Sequence, residues 1–326
     1  MKKILLSIVA LCCTMAAGAQ TTDQISAILQ VGNETPQIFY GIDALKKAMA
    51  AAPNKEGVIT LSSGNFNPTT VNKDVKIYGA GFETNEAEGI TLTNINGGFD
   101  VNLPQGIEGP HNIHIEGVYV NGNIAVKSAI NGFTFAKGRL GGISFNVATT
   151  SINIRQSYIV GNIIGAHNLY VKNSYIDNSQ ISSFSDESIV LIDHCILARG
   201  TDYDYSSNHF NCVNSIVRIS YINSVQTYNY CLLPNRANLN GFIGSDNNYF
   251  SVSDANVFED AENFNYSADR TFTLKDPDTY KGNDGEPVGP SGGIGWNKIP
   301  GTPIVKNLNA TVSETNLNVT YDAVAR

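Results

Sequence analysis

The sequence predicts an all-β fold: a right-handed parallel β-helix of about ten coils, with an N-terminal capping helix and an irregular C-terminal cap. Three observations predict it. An eight-residue pattern recurs through the middle of the chain every 17 to 21 residues. The 326 residues include 38 Asn and 30 Gly but only 15% charged residues, and Asn and Gly form turns far better than helices. A short amphipathic stretch stands directly before the first strand-like segments. The apolar fraction is 42% and there is no charge run, so disorder is excluded.

Residues Met1 to Ala19 read as a secretory signal. Lys2 and Lys3 precede an apolar run from Ile4 to Cys13, and Ala17-Gly18-Ala19 precedes Gln20. The run is too short for a permanent span. Cys12 and Cys13 leave lipidation open as an alternative, although Leu11 stands where a small residue is wanted. The expected product is secreted, periplasmic or displayed at the cell surface, and is not an integral membrane protein. The net charge is −8, or −10 without Lys2 and Lys3, and no basic patch offers a nucleic-acid surface.

Residues 20–56 are expected to form the N-terminal cap. Within it Ile42-Asp-Ala-Leu-Lys-Lys-Ala-Met-Ala-Ala-Ala52 reads as a helix stopped by Pro53. Gly57-Val-Ile-Thr-Leu61 and Val75-Lys-Ile-Tyr-Gly-Ala-Gly81 read as the first coils of a solenoid over residues 57–254. The repeat itself is apolar–polar–apolar–polar, then two small or polar residues, then two apolar residues. Its copies are Ile113-His-Ile-Glu-Gly-Val-Tyr-Val120, Ile152-Asn-Ile-Arg-Gln-Ser-Tyr-Ile159, Leu169-Tyr-Val-Lys-Asn-Ser-Tyr-Ile176, Val190-Leu-Ile-Asp-His-Cys-Ile-Leu197 and Phe210-Asn-Cys-Val-Asn-Ser-Ile-Val217. Phe133-Thr-Phe-Ala-Lys-Gly-Arg-Leu140 is a degenerate copy, and Asp246-Asn-Asn-Tyr-Phe250 a later one.

Alternation, interruption and resumption describe a strand, a one- or two-residue corner and a second strand. The corners fall at Gly117, Gln156, Asn173, His194 and Asn214. Asn tolerates the left-handed geometry that such a corner needs, and stacked side-chain amides are expected to bond from coil to coil. The first and third positions fill the core, and the coil is too short for a crossover helix. Residues 255–300, rich in Asn, Asp, Gly and Pro, read as an irregular cap, and residues 301–326 as a short β tail. Cys195, Cys212 and Cys231 match no zinc spacing and read as buried small residues, with at least one unpaired.

The opening from Ile42 to Gly81 resembles the capping helix and first coils of pectate-lyase-like and pectin-esterase-like right-handed β-helix proteins. The Lys281-Gly-Asn-Asp-Gly-Glu-Pro-Val-Gly289 stretch and the tail are similar to the ends of secreted β-helix proteins of the Bacteroidetes type. The resemblance spans roughly residues 38 to 295 and implies the fold. Val190-Leu-Ile-Asp-His-Cys195 also resembles the Trp-Ile-Asp-His segment of pectate lyases. Leu233-Pro-Asn-Arg-Ala237 with Asn247-Asn-Tyr-Phe250 is similar to their arginine-bearing loop and the coil after it. It implies Arg236 as a base and Asp193 near a metal. The chain departs from that pattern at Leu191, where the family has Trp, and in having Arg236 alone where the family pairs arginines around a proline.

Second and fourth positions point outward, and adjacent coils stack about 4.8 Å apart. The fourth-position row is Glu116, Ala136, Arg155, Lys172, Asp193 and Val213; the second-position row includes His114, Thr134, Asn153, Tyr170, Leu191 and Asn211. Arg155, Lys172 and Asp193, with Tyr170 alongside and His194 at the corner, form the candidate strip for a polysaccharide or other glycan. Lys172 and Arg236 are the candidate catalytic cations of a lyase. Asp193, Asp202 and Asp204 are the carboxylates from which calcium would be held, and otherwise no cofactor is expected. The expected function is a secreted or surface-displayed, monomeric, carbohydrate-associated protein, glycan-binding or adhesin-like without turnover. The alternatives are a polysaccharide lyase on uronate polymers and a purely structural surface protein.

Overall fold

The computed structural model describes residues 25–85, 90–177, 181–183, 185, 187–198, 210–218, 226–233, 243–244, 247–260, 262–301, 304–313 and 316–324. The signal-like segment therefore lies outside the described residues. So do Asp202, Asp204 and Arg236.

Two long sheets form a parallel β-solenoid. The first has twelve strands, of which the ten from Lys55–Leu61 to Ile243–Gly244 run parallel. Its register is the register of the repeat: Ile113 pairs with Phe133, Phe133 with Ile152, Ile152 with Leu169 and Leu169 with Val190. The second sheet stacks Tyr119, Arg139, Tyr158, Tyr175, Ile196 and Ile216 in the same way. First-, third- and eighth-position side chains such as Ile152, Ile154 and Ile159 are fully buried in one continuous core. Its driving force is apolar area removed from water on every coil.

The N-terminal end is closed by more than the expected helix. Helix Ala44–Ala51 buries Ala44, Leu45, Ala48 and Met49 and ends at Ala52, which is extended because Pro53 follows. Strands Ser26–Val31 and Gln37–Tyr40 form an antiparallel hairpin, and Ser26–Val31 pairs antiparallel with Lys55–Leu61. The hairpin takes the hydrogen bonds that the first coil would otherwise leave open.

The corner is left-handed in seven successive coils. Gly117, Lys137, Gln156, Asn173, His194, Asn214 and Tyr230 have φ of 70°, 45°, 51°, 44°, 50°, 51° and 54°. Such a residue costs about 1–2 kcal/mol when it is not glycine. The corner amide recovers it by continuing the ladder, as in Gln156 N–H to Lys172 O at 3.0 Å and Asn173 N–H to Asp193 O at 3.1 Å. The coil-to-coil side-chain bonds, expected from the corner amides, are made one residue later. Ser157, Ser174 and Ser215 are fully buried; each hydroxyl donates to the carbonyl two residues back, at 2.6–2.7 Å. Each also accepts a backbone N–H from the preceding coil. Cys195 and Cys231 occupy this serine position, and the three cysteines are free and buried.

The corner side chains instead hold a strap. Residues 281–301 run back along the corners. The amide of Asn173 donates to Pro290 O at 3.0 Å and Gly292 O at 2.6 Å, and that of Gln156 to Gly295 O at 2.9 Å. Asn214 exchanges bonds with Asn283, and Gly301 N–H reaches Glu116 Oε1 at 2.6 Å. Only glycine fits where the strap crosses the corner imidazole: a Cβ on Gly292 would lie 2.8 Å from the His194 ring and 1.8 Å from Pro287 O. The corner amide of Asn214 also bonds from coil to coil, donating to Asp193 Oδ1 at 3.0 Å.

The segment before the strap is not at the end of the solenoid either. It lies across the outer face of the second sheet and builds a second core there. Tyr175, Ile196, Ile216 and Leu232, all at the seventh repeat position, are fully buried against Val257, Phe258, Phe264, Phe272, Leu274 and Val288. Tyr158 stacks on Tyr266 at 4.0 Å, and Trp296 meets Phe272 edge-on at 5.4 Å. Two adjacent apolar residues in each repeat serve two cores, one on each side of the sheet. Strands Ile304–Ser313 and Asn316–Val324 form a separate antiparallel hairpin.

Candidate functional site

The outer face of the first sheet is the counterpart of that sealed face, and the strap leaves most of it open. Its second-position row runs Val58, Lys76, His114, Thr134, Asn153, Tyr170, Leu191, Asn211 and Thr227. Its fourth-position row runs Tyr78, Glu116, Ala136, Arg155, Lys172, Asp193, Val213 and Asn229. Pleating sends both rows to the same side, at one coil spacing per residue.

The register expected for the candidate strip is the one observed. Lys172 and Asp193 are paired positions, and Lys172 Nζ lies 3.6 Å from Asp193 Oδ2. Arg155 is the next position in the row and is exposed, with no carboxylate partner among the described residues. Tyr170 is half-buried between Asn153 and Leu191. His194 does not share this surface. It is 2% exposed beneath the strap, with Nδ1 2.8 Å from Asp193 Oδ1 and Nε2 3.5 Å from Asp284 Oδ2. The expected corner hydrogen bond is therefore made to the neighbouring carboxylate.

Asp193 is anchored through Oδ1, which accepts from both His194 and Asn214. Burial pushes its carboxyl up, but hydrogen bonds from His194 and Asn214 and the Lys172 ammonium outweigh burial and hold it below the usual range. An anchored, ionised carboxylate of this kind positions its neighbours and is a poor proton acceptor. Among the described residues no three His, Cys, Asp or Glu side chains converge as metal ligands. Asp193 is the one residue of the calcium set that the described structure places.

Sequence reasoning did not single out a second cluster further up the same face. Glu116 belongs to the outward row but is only 6% exposed, because Gly301 of the strap covers it. Its carboxylate takes His114 Nε2 at 2.8 Å and lies 3.6 Å from Lys137 Nζ. Burial pushes this carboxyl up as well, and the bonds from His114 and Gly301 with the Lys137 charge bring it below its ordinary value. Tyr78 packs on His114 with ring centroids 5.3 Å apart; burial, then the Glu116 charge, pushes its phenol up against the opposing Arg155 charge. His114 and Glu116 stand at second and fourth positions of a recognised copy, so their proximity was legible. The strap that buries Glu116 arrives from 185 residues away and was not.

No family model matches this chain, and neither a curated protein nor a solved structure matches it. No helix among the described residues is long and apolar enough to cross a membrane.

Proposed function

We propose that the protein is an extracellular glycan-binding protein whose ligand lies along the open face of the first sheet and is not cut. The observation that carries this reading is the different treatment of the two outer faces. Residues 255–298 seal the second sheet with an aromatic layer, whereas the first sheet keeps Asn153, Tyr170, Arg155 and Lys172 accessible in adjacent coils. Glycan sites need side-chain donors and acceptors at intervals and an amphipathic ring to pack on sugar faces, and this strip offers both. The carboxylates beside it are held ionised by their partners, which suits positioning better than proton transfer.

The test is a glycan array followed by titration of the hits against Tyr170→Ala and Lys172→Ala. Binding should weaken about tenfold or more in either variant, the ~1.4 kcal/mol equivalent of one lost stacking or charged contact, with an unchanged melting temperature. An array without hits overturns the reading in favour of a structural surface protein. Unsaturated product from uronate polymers, lost in Arg236→Ala, would replace it with a polysaccharide lyase.

A further inference from the structure

Resting on that reading, we infer that the cavity at the N-terminal end of the open face is a subsite for the terminal pyranose unit of an uncharged sugar chain. The cavity has a volume of about 330 Å³, within the range of small-ligand sites and sufficient for a single sugar ring. It is a continuation of the strip and no isolated hollow. Two of its walls, Val58 and Lys76, are the first members of the second-position row that continues through His114, Thr134 and Asn153 to Tyr170. Beyond Val58 the row ends at its Cα partner in the antiparallel hairpin, Gln30, which is buried with its amide bonded to Gly32 O and Glu34 O. A chain lying along the row thus reaches a closed end at this point.

The cavity is a built structure. Residues between Val101 and Ile113 loop out and return over it. The loop's returning half is tied down twice: Lys55 Nζ donates to Glu108 O at 2.7 Å, and Asn112 N–H donates to Asp74 Oδ1 at 2.7 Å. The second oxygen of Asp74, itself 6% exposed, is left for another donor. Lys76 Nζ has no hydrogen-bond or ion-pair partner among the described residues. The lining combines two lysines, Lys55 and Lys76, and two acidic residues, Glu56 and Asp74, with Pro110 and Val58 as apolar walls.

That balance selects the ligand. A carboxylate or sulfate would meet Glu56 and Asp74 as well as the lysines, and an ammonium would meet the lysines. A neutral hydroxyl both donates and accepts, so vicinal hydroxyls of one ring satisfy an ammonium and a carboxylate together, while the ring's C–H face lies on Pro110.

The experiment is calorimetric titration of the full chain with glucose, galactose, mannose and N-acetylglucosamine, with their hexasaccharides, which are long enough to reach Tyr170 four coils beyond Lys76, and with galacturonate as the charged control. Lys76→Ala and the cavity-narrowing Val58→Tyr are compared with Tyr170→Ala. At least one neutral monosaccharide should bind and should compete with its hexasaccharide, and galacturonate should not. Lys76→Ala and Val58→Tyr should each weaken both sugars tenfold or more. Tyr170→Ala should weaken the hexasaccharide alone. Hexasaccharide binding that depends on Tyr170 but is untouched by Lys76→Ala and Val58→Tyr overturns the subsite and leaves the strip standing. Tighter binding of galacturonate than of every neutral sugar overturns the ligand assignment. No binding of any hexasaccharide overturns both readings.

Discussion

Asn173 is where the strap can be cut without touching the solenoid core. Its side chain is 2% exposed, sits at a corner with φ of 44°, and donates to two strap carbonyls, Pro290 O and Gly292 O. Asn173→Ala removes both hydrogen bonds, worth about 0.5–1.5 kcal/mol each in net terms. It also places an alanine in left-handed geometry, at a further cost of about 1 kcal/mol relative to asparagine. The expected loss is therefore about 2–4 kcal/mol. Asn173→Gly removes the same bonds but adopts the backbone without strain, so it should lose about 1 kcal/mol less. The single tryptophan makes the assay selective, because Trp296 stands in the strap against Phe272 and Tyr266 while circular dichroism follows the sheets. In urea, the fluorescence midpoint should fall further than the dichroism midpoint in both variants, and further in the alanine variant. Equal midpoints with wild type would show that these bonds do not hold the strap. A glycine variant weaker than the alanine variant would refute the role assigned to the corner backbone.

Three more outcomes follow from the same geometry. Ile154→Ala empties a fully buried third position and should cost about 2–5 kcal/mol in thermal or urea unfolding, whereas Tyr170→Ala on the open face should change stability by less than about 0.5 kcal/mol. Cys195 occupies a position that serine fills in three other coils, so Cys195→Ser should stay within about 1 kcal/mol of wild type; burial pushes the native thiol far up, and native protein should resist a thiol reagent until it is unfolded. Asp193 and Glu116 are held below their unfolded values, so the stability they contribute is complete above about pH 5 and is lost as the pH falls through the lower folded values; Asp193→Asn and Glu116→Gln should lower the urea midpoint at pH 7 and flatten its decline in acid.

What the sequence disclosed was the part of the fold with a short local period. Inward positions such as Ile152, Ile154 and Ile159 alternate within one copy, and each corner is a single residue whose type tolerates left-handed backbone. The coil at Gln226–Leu233 escaped recognition because its core positions are Gln226 and Tyr228, which satisfy each other by a 2.8 Å hydrogen bond and so need no aliphatic pair. The strap escaped because it is recognised through its main-chain carbonyls, which carry no sequence signature. Its anchoring side chains, Asn173 and Gln156, were visible only as corner residues. The candidate strip was legible in register, since Lys172 and Asp193 stand where the repeat places them, but the burial of Glu116 and His194 depends on contacts from residues 284–301.

One sequence signal for the covering layer was nevertheless present. At the seventh position the stack reads Tyr119, Arg139, Tyr158, Tyr175, Ile196, Ile216, Leu232 and Tyr249, too apolar for a water-facing row. The outward second position reads Lys76, His114, Thr134, Asn153, Tyr170, Leu191, Asn211 and Thr227. In a solenoid an outward row is uniform in polarity only if it has one fate along its length. The apolar row must therefore meet another segment of the chain, and the polar row must meet water or a polar ligand. The difference between the two rows separates the face that the chain covers with its own residues from the one it leaves open.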